Sequence, residues 1–444
     1  MIMIRDAFNT RIGFILAAAG SAVGLGNIWG FPTQVANHGG GAFLLVYLLV
    51  VLILAIPALY TEISLGHAAQ ANPVQALRSL AQRPAGVGAA AGAGMGYLNV
   101  GGAILMLSFY HLVAAWMLAQ GLASLALALN LDQLSQWLQT GSHSRDLVLM
   151  FAFISLTFGI VIKGVQQGIE RWSRRLMPVL VLLLLSLIAY ILTLPGASTG
   201  LAAYLIPDLS ALQQPGLIVA AMGQAFFSLS IGLGGMMIYG SYLPKDTRIG
   251  KLVFGVAGLD TLIAFLAGLL IIPALYVAMA QGLSVAEGDQ LIGEGQLIFQ
   301  ILPQLFAQLG TAGAWLGFAF FALLSIAALT STIATAEVPI AYAIEQHQLS
   351  RRQAAWIIAA LIAVIGSALV IWFEPLFNWV VTYVTQFQLP LSGLFYFIVL
   401  GWLWQRSNRL RELAQQQLKY RLLFWHLRVV CPLLLLWVFV DVAF

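Results

Sequence analysis

The chain has 444 residues, of which 61% are hydrophobic and 8% charged, with a formal net charge of +4 and a mean hydropathy of +0.93. Soluble domains carry about a quarter charged residues, so composition excludes that class. Recurrent apolar runs of about twenty residues instead predict an all-α polytopic membrane protein.

Eleven candidate spans follow in chain order, near residues 11–36, 41–66, 88–125, 146–163, 173–194, 216–241, 250–281, 311–345, 353–372, 376–405 and 421–443. The first apolar stretch continues into a full span, so no cleavable signal peptide is read. With the N-terminus in the cytoplasm, nineteen of the twenty Lys and Arg residues fall on inner segments, and only Arg145 falls outside. The outer loops carry Asp132, Asp208, Glu287, Asp289 and Glu294. This asymmetry predicts a cytoplasmic N-terminus and an outside C-terminus, and it assigns the positive charge to topology rather than to nucleic-acid binding. Residues 66–88 read as an inner loop and 126–145 as an outer polar loop. Residues 282–310 read as a longer outer excursion with room for a short helix, and 406–420 as a basic, amphipathic inner linker. The only cysteine, Cys431, excludes an internal disulfide and a cysteine metal cluster.

Span one contains "GSAVGLGNIWGFP", Gly20 to Pro32, which places poor helix formers in the middle of an apolar run. Span six has a counterpart, "GQAFFSLSIGLGGMMIYGSYL", with Ser228, Ser230, Gly232, Gly234 and Gly235 at its centre. Either cluster alone reads equally well as a surface for close helix packing. Two clusters five spans apart match the interrupted helices of two inverted five-helix repeats, the pattern of a transporter's central site. A break frees N–H and C=O groups that lipid cannot satisfy, so they must line a protein cavity or hold ions.

Span eight contributes "AALTSTIATAE", in which Ala327, Thr330, Ser331, Ala334 and Thr335 recur at helical spacing. These hydroxyls either bond the carbonyls of the preceding turn or form an oxygen-rich wall for a monovalent cation. Acids inside spans are rare and mark sites by default, and three qualify: Glu62, Asp260 and Glu337. Glu62 and Glu337 lie near span ends, where helix-end and network roles compete. Asp260 lies well inside span seven with no Lys or Arg in the neighbouring turns. It reads as a cation ligand, with a proton relay and a structural role as alternatives.

The strings "TRIGFILAAAGSAVGLGNIWGFP", "NHGGGAF", "TEISLGH", "GQAFFSLSIGLG", "SYLPKD" and "ALTS" carry a resemblance along nearly the whole chain. The chain resembles the neurotransmitter:sodium symporter family, specifically its bacterial eleven-helix amino-acid transporter branch. The resemblance implies a single transporter domain over 1–444. Residues 11–194 would form the first inverted repeat, 216–405 the second, and 421–443 an additional helix, with spans one and six unwound. It implies no enzyme activity. The expected function is a sodium-coupled symporter that imports a neutral, hydrophobic L-amino acid by alternating access across the inner membrane of a bacterium. A transport-inactive amino-acid receptor and a proton-coupled transporter are the alternatives. Oligomeric state is not specified.

Carried over by motif, the resemblance implies two sodium sites. The first would use the Ala22 carbonyl with the side chains of Asn27, Ser228 and Asp260 and the substrate's own carboxylate. The second would use the carbonyls of Gly20, Val23 and Ala327 with the hydroxyls of Thr330 and Ser331. The substrate carboxylate would meet the amides of Leu25 and Gly26 and the Tyr110 hydroxyl. The ammonium would meet the region around Ser228 and Ser230. Ser21, Ala22, Met106, Phe227, Ser230, Leu233, Ser331, Ala334 and Thr335 would complete the substrate pocket.

On the inner side Arg5, Phe8, Tyr242 and Glu345 occupy the family's gate positions, with Phe8 replacing the usual tryptophan. Phe227 and Tyr110 would close over the substrate from outside. The family's charged outer pair is replaced by Gly30 and Phe377. Gly168 and Pro178 keep a span-five pattern that implies local unwinding. The chloride site of chloride-dependent relatives maps to Tyr47, Gln224, Ser228, Asp260 and Ala264. There an aspartate stands for asparagine and an alanine for serine, which implies that chloride is not required.

Overall fold

The structure is a computed structural model that describes residues 7–81, 87–214, 216–287, 290–291, 294–404 and 418–443. Arg5 and residues 406–417 of the expected basic linker therefore lie outside the described residues. Among the described residues, nine helices are long and apolar enough to cross a membrane. They are Gly41–Ala69, Gly88–Ala128, His143–Val161, Val165–Ile191, Ile249–Ala280, Gly310–His347, Arg351–Ile371, Phe373–Leu403 and Arg421–Asp441. Span one is a bent pair, Arg11–Ala22 and Gly26–Asn37, with a 58° change of direction. Span six is two short helices, Leu217–Ser228 and Gly235–Ser241.

Span five starts at Val165 rather than near 173. Its first turns carry Arg171, Arg174 and Arg175, which are exposed and whose charges lower the local hydropathy. The inner loop contains a helix, Pro73–Leu80. Asn72 caps it by accepting from the Val74 and Gln75 amides, and Val74, Ala76 and Leu77 are buried. The outer loop contains Asp132–Gln139, which buries Ser135 and Leu138. The outer excursion pairs Ala286–Glu287 with Gln290–Leu291 in a small antiparallel ribbon and continues into helical segments Leu297–Ile301 and Leu302–Gln308. A short helix before span six, Ala197–Leu205, has too few residues to register as a span.

Arg145, the one cation that the charge pattern leaves off the expected inner segments, is buried. Its guanidinium donates to Asp146 Oδ1 at 2.6 and 2.9 Å and to the carbonyls of Leu138 and Thr140 at 2.8 and 3.2 Å. It ties the outer loop together, so its placement does not weaken the charge asymmetry. Cys431 is buried in span eleven, with its thiol 3.7 Å from the Ile53 carbonyl of span two.

The core is formed where spans one, three, five, seven and eight meet. The first half of span one packs on Ile249–Ala280, Gly310–His347 and the helix Arg171–Ile191. The second half of span six packs instead on span two. That contact is backbone to backbone: a methyl group on Gly66 would lie 1.8 Å from the Met237 carbonyl oxygen, and one on Gly240 would lie 2.3 Å from that of Ile63. Small residues permit such approach where apolar burial alone cannot drive helices together. Gly66→Ala should therefore lower the unfolding temperature of the purified protein by several degrees. Gly101→Ala, on an open face of span three with nothing within 4 Å, should leave it unchanged or raise it. Equal effects of the two substitutions in a detergent melt would refute the close approach.

Candidate functional site

The α-helix of span one ends at Ala22, and the chain resumes a helical path near Leu25. Several backbone groups near this break meet specific partners. The Gly24 amide donates to Asn27 Oδ1 at 3.2 Å and the Leu25 amide to the Tyr110 hydroxyl at 2.9 Å. The Gly26 carbonyl accepts from Gln224 Nε2 at 2.7 Å. The Ser21 carbonyl accepts from the hydroxyls of both Ser230 and Ser331, each at 3.2 Å.

Span six breaks over 229–234. Gly232 and Gly234 adopt φ of +101° and +82°, which glycine reaches without steric cost. Ser230 also has positive φ, +51°, and this marks local strain at a residue that faces the cavity. Glu62 of span two, fully buried, accepts from the Gly232 amide at 2.9 Å and the Met237 amide at 3.3 Å. The sequence left Glu62 between helix-end and network roles. Its carboxylate in fact holds the broken backbone of span six.

Asn27, Ser228 and Asp260 come together as one buried cluster. Asn27 Nδ2 donates to Ser228 Oγ and Asp260 Oδ1, both at 2.8 Å, and lies 3.2 Å from the Asp260 carbonyl. Ser228 Oγ donates to Asp260 Oδ2 at 2.9 Å. Ala22 lies four residues before the break's end, on the cavity wall rather than within this cluster. Tyr47 is buried against Phe31, with ring centroids 4.7 Å apart, and Ala264 is buried one helical turn along span seven from Asp260.

Span eight presents its hydroxyl face to span one. A methyl group on Gly20 would lie 3.3 Å from Thr330 Cβ, and one on Gly24 would lie 3.4 Å from Ser331 Oγ. Thr330 Oγ1 also reaches the Ile326 and Ala327 carbonyls at 3.2 and 3.0 Å. Val23, the C-cap of the first half-helix, has extended ψ of 100°, which turns its carbonyl out of the helical ladder. Thr335 bonds back to the Ser331 carbonyl at 2.9 Å and is buried, as are Ala334 and Ser21.

Between the two breaks lies a small cavity lined by Ala22, Gly24, Gly26, Met106, Tyr110, Phe227, Ser230, Leu233, Ser331 and Leu389. Eight of these were expected from sequence. Gly24 and Leu389 were missed, the latter because no motif marks span ten as part of the wall. The expected residues Ser21, Leu25, Ser228, Ala334 and Thr335 stand behind this lining. Phe227 lies over Gly26, where a methyl group would meet its ring at 3.0 Å.

At one end of the bundle rings pack together. Trp29 of span one meets Phe299 of the segment before span eight at 5.6 Å, and Phe299 meets Trp116 of span three at 6.1 Å. Trp116 then meets Phe373 and Phe377 of span ten at 5.5 and 5.8 Å, and Phe377 meets Phe109 at 6.1 Å. Gly30 faces the Gln224 amide. At the other end, Phe8 contacts Phe14, Tyr239 and Tyr242 edge-on, with centroids 5.2, 5.3 and 6.5 Å apart. The Tyr242 hydroxyl donates to Glu337 at 2.6 Å, and Arg351 donates to both oxygens of the same carboxylate. Glu345 accepts from the Asn72 amide and side chain at 2.9 and 2.8 Å.

Span five is helical over Val165–Ile191, with a wider turn over Val165–Glu170 that contains Gly168. A methyl group on Gly168 would lie 2.4 Å from the Ile160 carbonyl oxygen, so the glycine serves close packing on span four. Pro178 sits inside the regular helix. Its neighbour Met177 lies across from Gly20, with Sδ 3.5 Å from the position of a methyl group there. Glu170 accepts from the Asn9 amide at 2.8 Å and the Thr10 hydroxyl at 3.0 Å, so the start of span one is held to span five.

A protein-family model described as the sodium:neurotransmitter symporter family matches residues 5–145 and 127–444. An uncharacterised sodium-dependent transporter of Bacillus subtilis (strain 168) is 34% identical over 80% of this chain and 76% of its own length. One of Methanocaldococcus jannaschii is 30% identical over 95% of this chain and 87% of its own. The crystal structure of MhsT in complex with L-phenylalanine superimposes with a TM-score of 0.82 at 36% identity, covering 99% of this chain and 100% of that one. The likeness shows the fold to be two inverted five-helix repeats with an added helix, in a multi-pass membrane protein.

Proposed function

The chain belongs to the sodium:neurotransmitter symporter family, a family of transporters rather than enzymes, and we propose that the amino acid it carries with sodium is neutral and hydrophobic. The observation that carries this reading is the cavity lining, which joins two interrupted backbones to apolar walls and holds no charged side chain. Burying a lysine or glutamate side chain there would cost several kcal/mol without a counter-charge. The freed amides of Leu25 and Gly26, with the Tyr110 hydroxyl, suit a carboxylate at a helix N-terminus. Carbonyls near the span-six break suit the ammonium. The bound L-phenylalanine of MhsT supports the same class of substrate.

The first sodium ion is proposed at Asn27, Ser228, Asp260 and the Ala22 carbonyl, and the second at the Gly20, Val23 and Ala327 carbonyls with Thr330 and Ser331. The substrate is a zwitterion with no net charge, so two ions leave two positive charges in the site, and Asp260 supplies the negative charge that a chloride ion would otherwise bring. That balance removes the need for chloride, and Ala264 offers no hydroxyl to hold one. Inner positive charges support a cytoplasmic N-terminus and an outside C-terminus. The repeats are proposed at 11–194 and 216–405, with 421–443 as the added helix. Outward closure is proposed to rest on the ring cluster around Trp116, and inward closure on Phe8, Tyr242, Glu345 and Arg5.

Thr330→Val and Ser331→Ala each remove one oxygen at nearly constant volume. Each should raise the sodium concentration for half-maximal substrate binding by about tenfold or more, the effect of one lost charge-assisted contact. Unchanged sodium dependence in both would remove the second site.

Uptake by the unmodified protein in proteoliposomes should be equal in chloride and gluconate media. Asp260→Asn should be nearly inactive in gluconate, and Asp260→Asn with Ala264→Ser should regain activity when chloride is added. Full activity of Asp260→Asn without chloride would overturn the charge balance.

Trp116→Ala should speed dissociation of bound amino acid by about tenfold, from the loss of ring contacts each stabilising by about 1 kcal/mol. In the unmodified protein, dissociation at fixed sodium should not respond to added choline chloride, since salt screens ion pairs and not ring contacts. A salt-accelerated release would place an ion pair at the outer gate.

A further inference from the structure

Spans three and ten meet along a polar seam below the cavity. Asn99 Nδ2 donates to the Tyr396 hydroxyl, and the Ser392 hydroxyl donates to Asn99 Oδ1 at 3.0 Å. Gln388 Nε2 donates to the Leu98 carbonyl at 3.0 Å. Gln388 Oε1 is buried and has no hydrogen-bond partner among the described residues, although the side chain as a whole is only 3% exposed. Exchanging the two amide atoms would not help, because the Leu98 carbonyl requires a donor. A buried acceptor left unmade is costly and needs an explanation.

The position of this amide supplies one. It lies flat on Gly102, where a methyl group would overlap it at 1.9 Å from both Oε1 and Nε2. Gly102 stands one helical turn before Met106 on span three, about 6 Å along the axis, and Met106 lines the cavity. The next residue after Gln388, Leu389, lines the same cavity, and its carbonyl lies against Gly232 at the span-six break. Gly102, Met106 and Tyr110 follow one another at four-residue spacing on one face of span three, so Met106 stands between the Gln388 amide and the Tyr110 hydroxyl along that face. Met106 is unbranched and adaptable.

We infer that Gln388 is a specificity-determining residue whose Oε1 accepts a hydrogen bond from an N–H or O–H at the far end of a large apolar substrate side chain. The inference rests on the amino-acid reading above and narrows it. The favoured substrate is an aromatic amino acid with a side-chain donor, which satisfies both the apolar walls and the buried acceptor. A short polar side chain anchored at the two breaks would not reach the seam. Gly102 is required because any Cβ there would push the amide aside.

The test compares sodium-dependent binding of phenylalanine, tryptophan and 1-methyltryptophan to the purified, unmodified protein. The last compound lacks the indole N–H. Tryptophan should bind at least about tenfold more tightly than 1-methyltryptophan, the usual effect of leaving a buried partner unpaired. In Gln388→Met, which keeps length and removes the acceptor, that ratio should fall to within about threefold, and Gly102→Ala should lower it likewise. Equal affinity of the unmodified protein for the two tryptophans would overturn the inference whether or not either variant folds. An undiminished ratio in a folded Gln388→Met would overturn it as well. If phenylalanine and tryptophan both fail to bind in sodium, the amino-acid reading falls and this inference falls with it. Phenylalanine binding with no tryptophan ratio rejects the role of Gln388 alone.

Discussion

The architecture depends on one constraint: a helix broken inside a membrane must have its freed amides and carbonyls satisfied by protein. Four ties across the centre of the molecule meet this constraint. Glu62 reaches from span two to the amides of Gly232 and Met237, and Gln224 reaches from span six to the Gly26 carbonyl. Tyr110 takes the Leu25 amide from span three, and Ser331 reaches the Ser21 carbonyl from span eight. The groups that hold the breaks in place thus come from four different spans. A ligand that replaces any one of them competes with a structural bond, so binding and movement of the half-helices are energetically the same event.

The two ends of the helix bundle are packed by different physics. At one, the contacts run ring to ring from Trp29 through Phe299 and Trp116 to Phe373 and Phe377. At the other, Glu337 gathers Tyr242 and Arg351 in charge-assisted bonds at 2.5–3.0 Å beside the edge-on rings of Phe8 and Tyr242. Ring contacts are short-ranged and indifferent to salt, whereas ionic contacts respond to screening.

Much of this was legible in the chain. The breaks announce themselves because glycine and serine at mid-span contradict the helical surroundings, and Asp260 because a carboxylate there has no nearby cation in sequence. The eight expected cavity residues came from the family resemblance, which adds Met106 and Tyr110 of span three to the residues of the two breaks. Leu389 and Met177 escaped because an apolar residue in an apolar helix carries no signal of which face it shows. Span five misled in one way: its arginines hid its start, while Gly168 of its glycine–proline spacing makes room for the Ile160 carbonyl. The roles of Glu62 and Glu337 needed the fold, since their partners lie more than ninety positions away for Tyr242 and farther for Gly232. The helix Pro73–Leu80 was hidden in a loop because eight residues are too few for a hydropathy window.

Cys431 lies buried between spans eleven and two, and no other thiol exists in the chain. The wild-type sequence is therefore already close to a blank slate for spectroscopy. A cysteine introduced at any accessible position would be the one site a maleimide dye or spin label meets in the folded protein. Pairs of such labels across the outer rings and the inner carboxylate cluster would report distances in lipid without first rebuilding the core to remove native thiols.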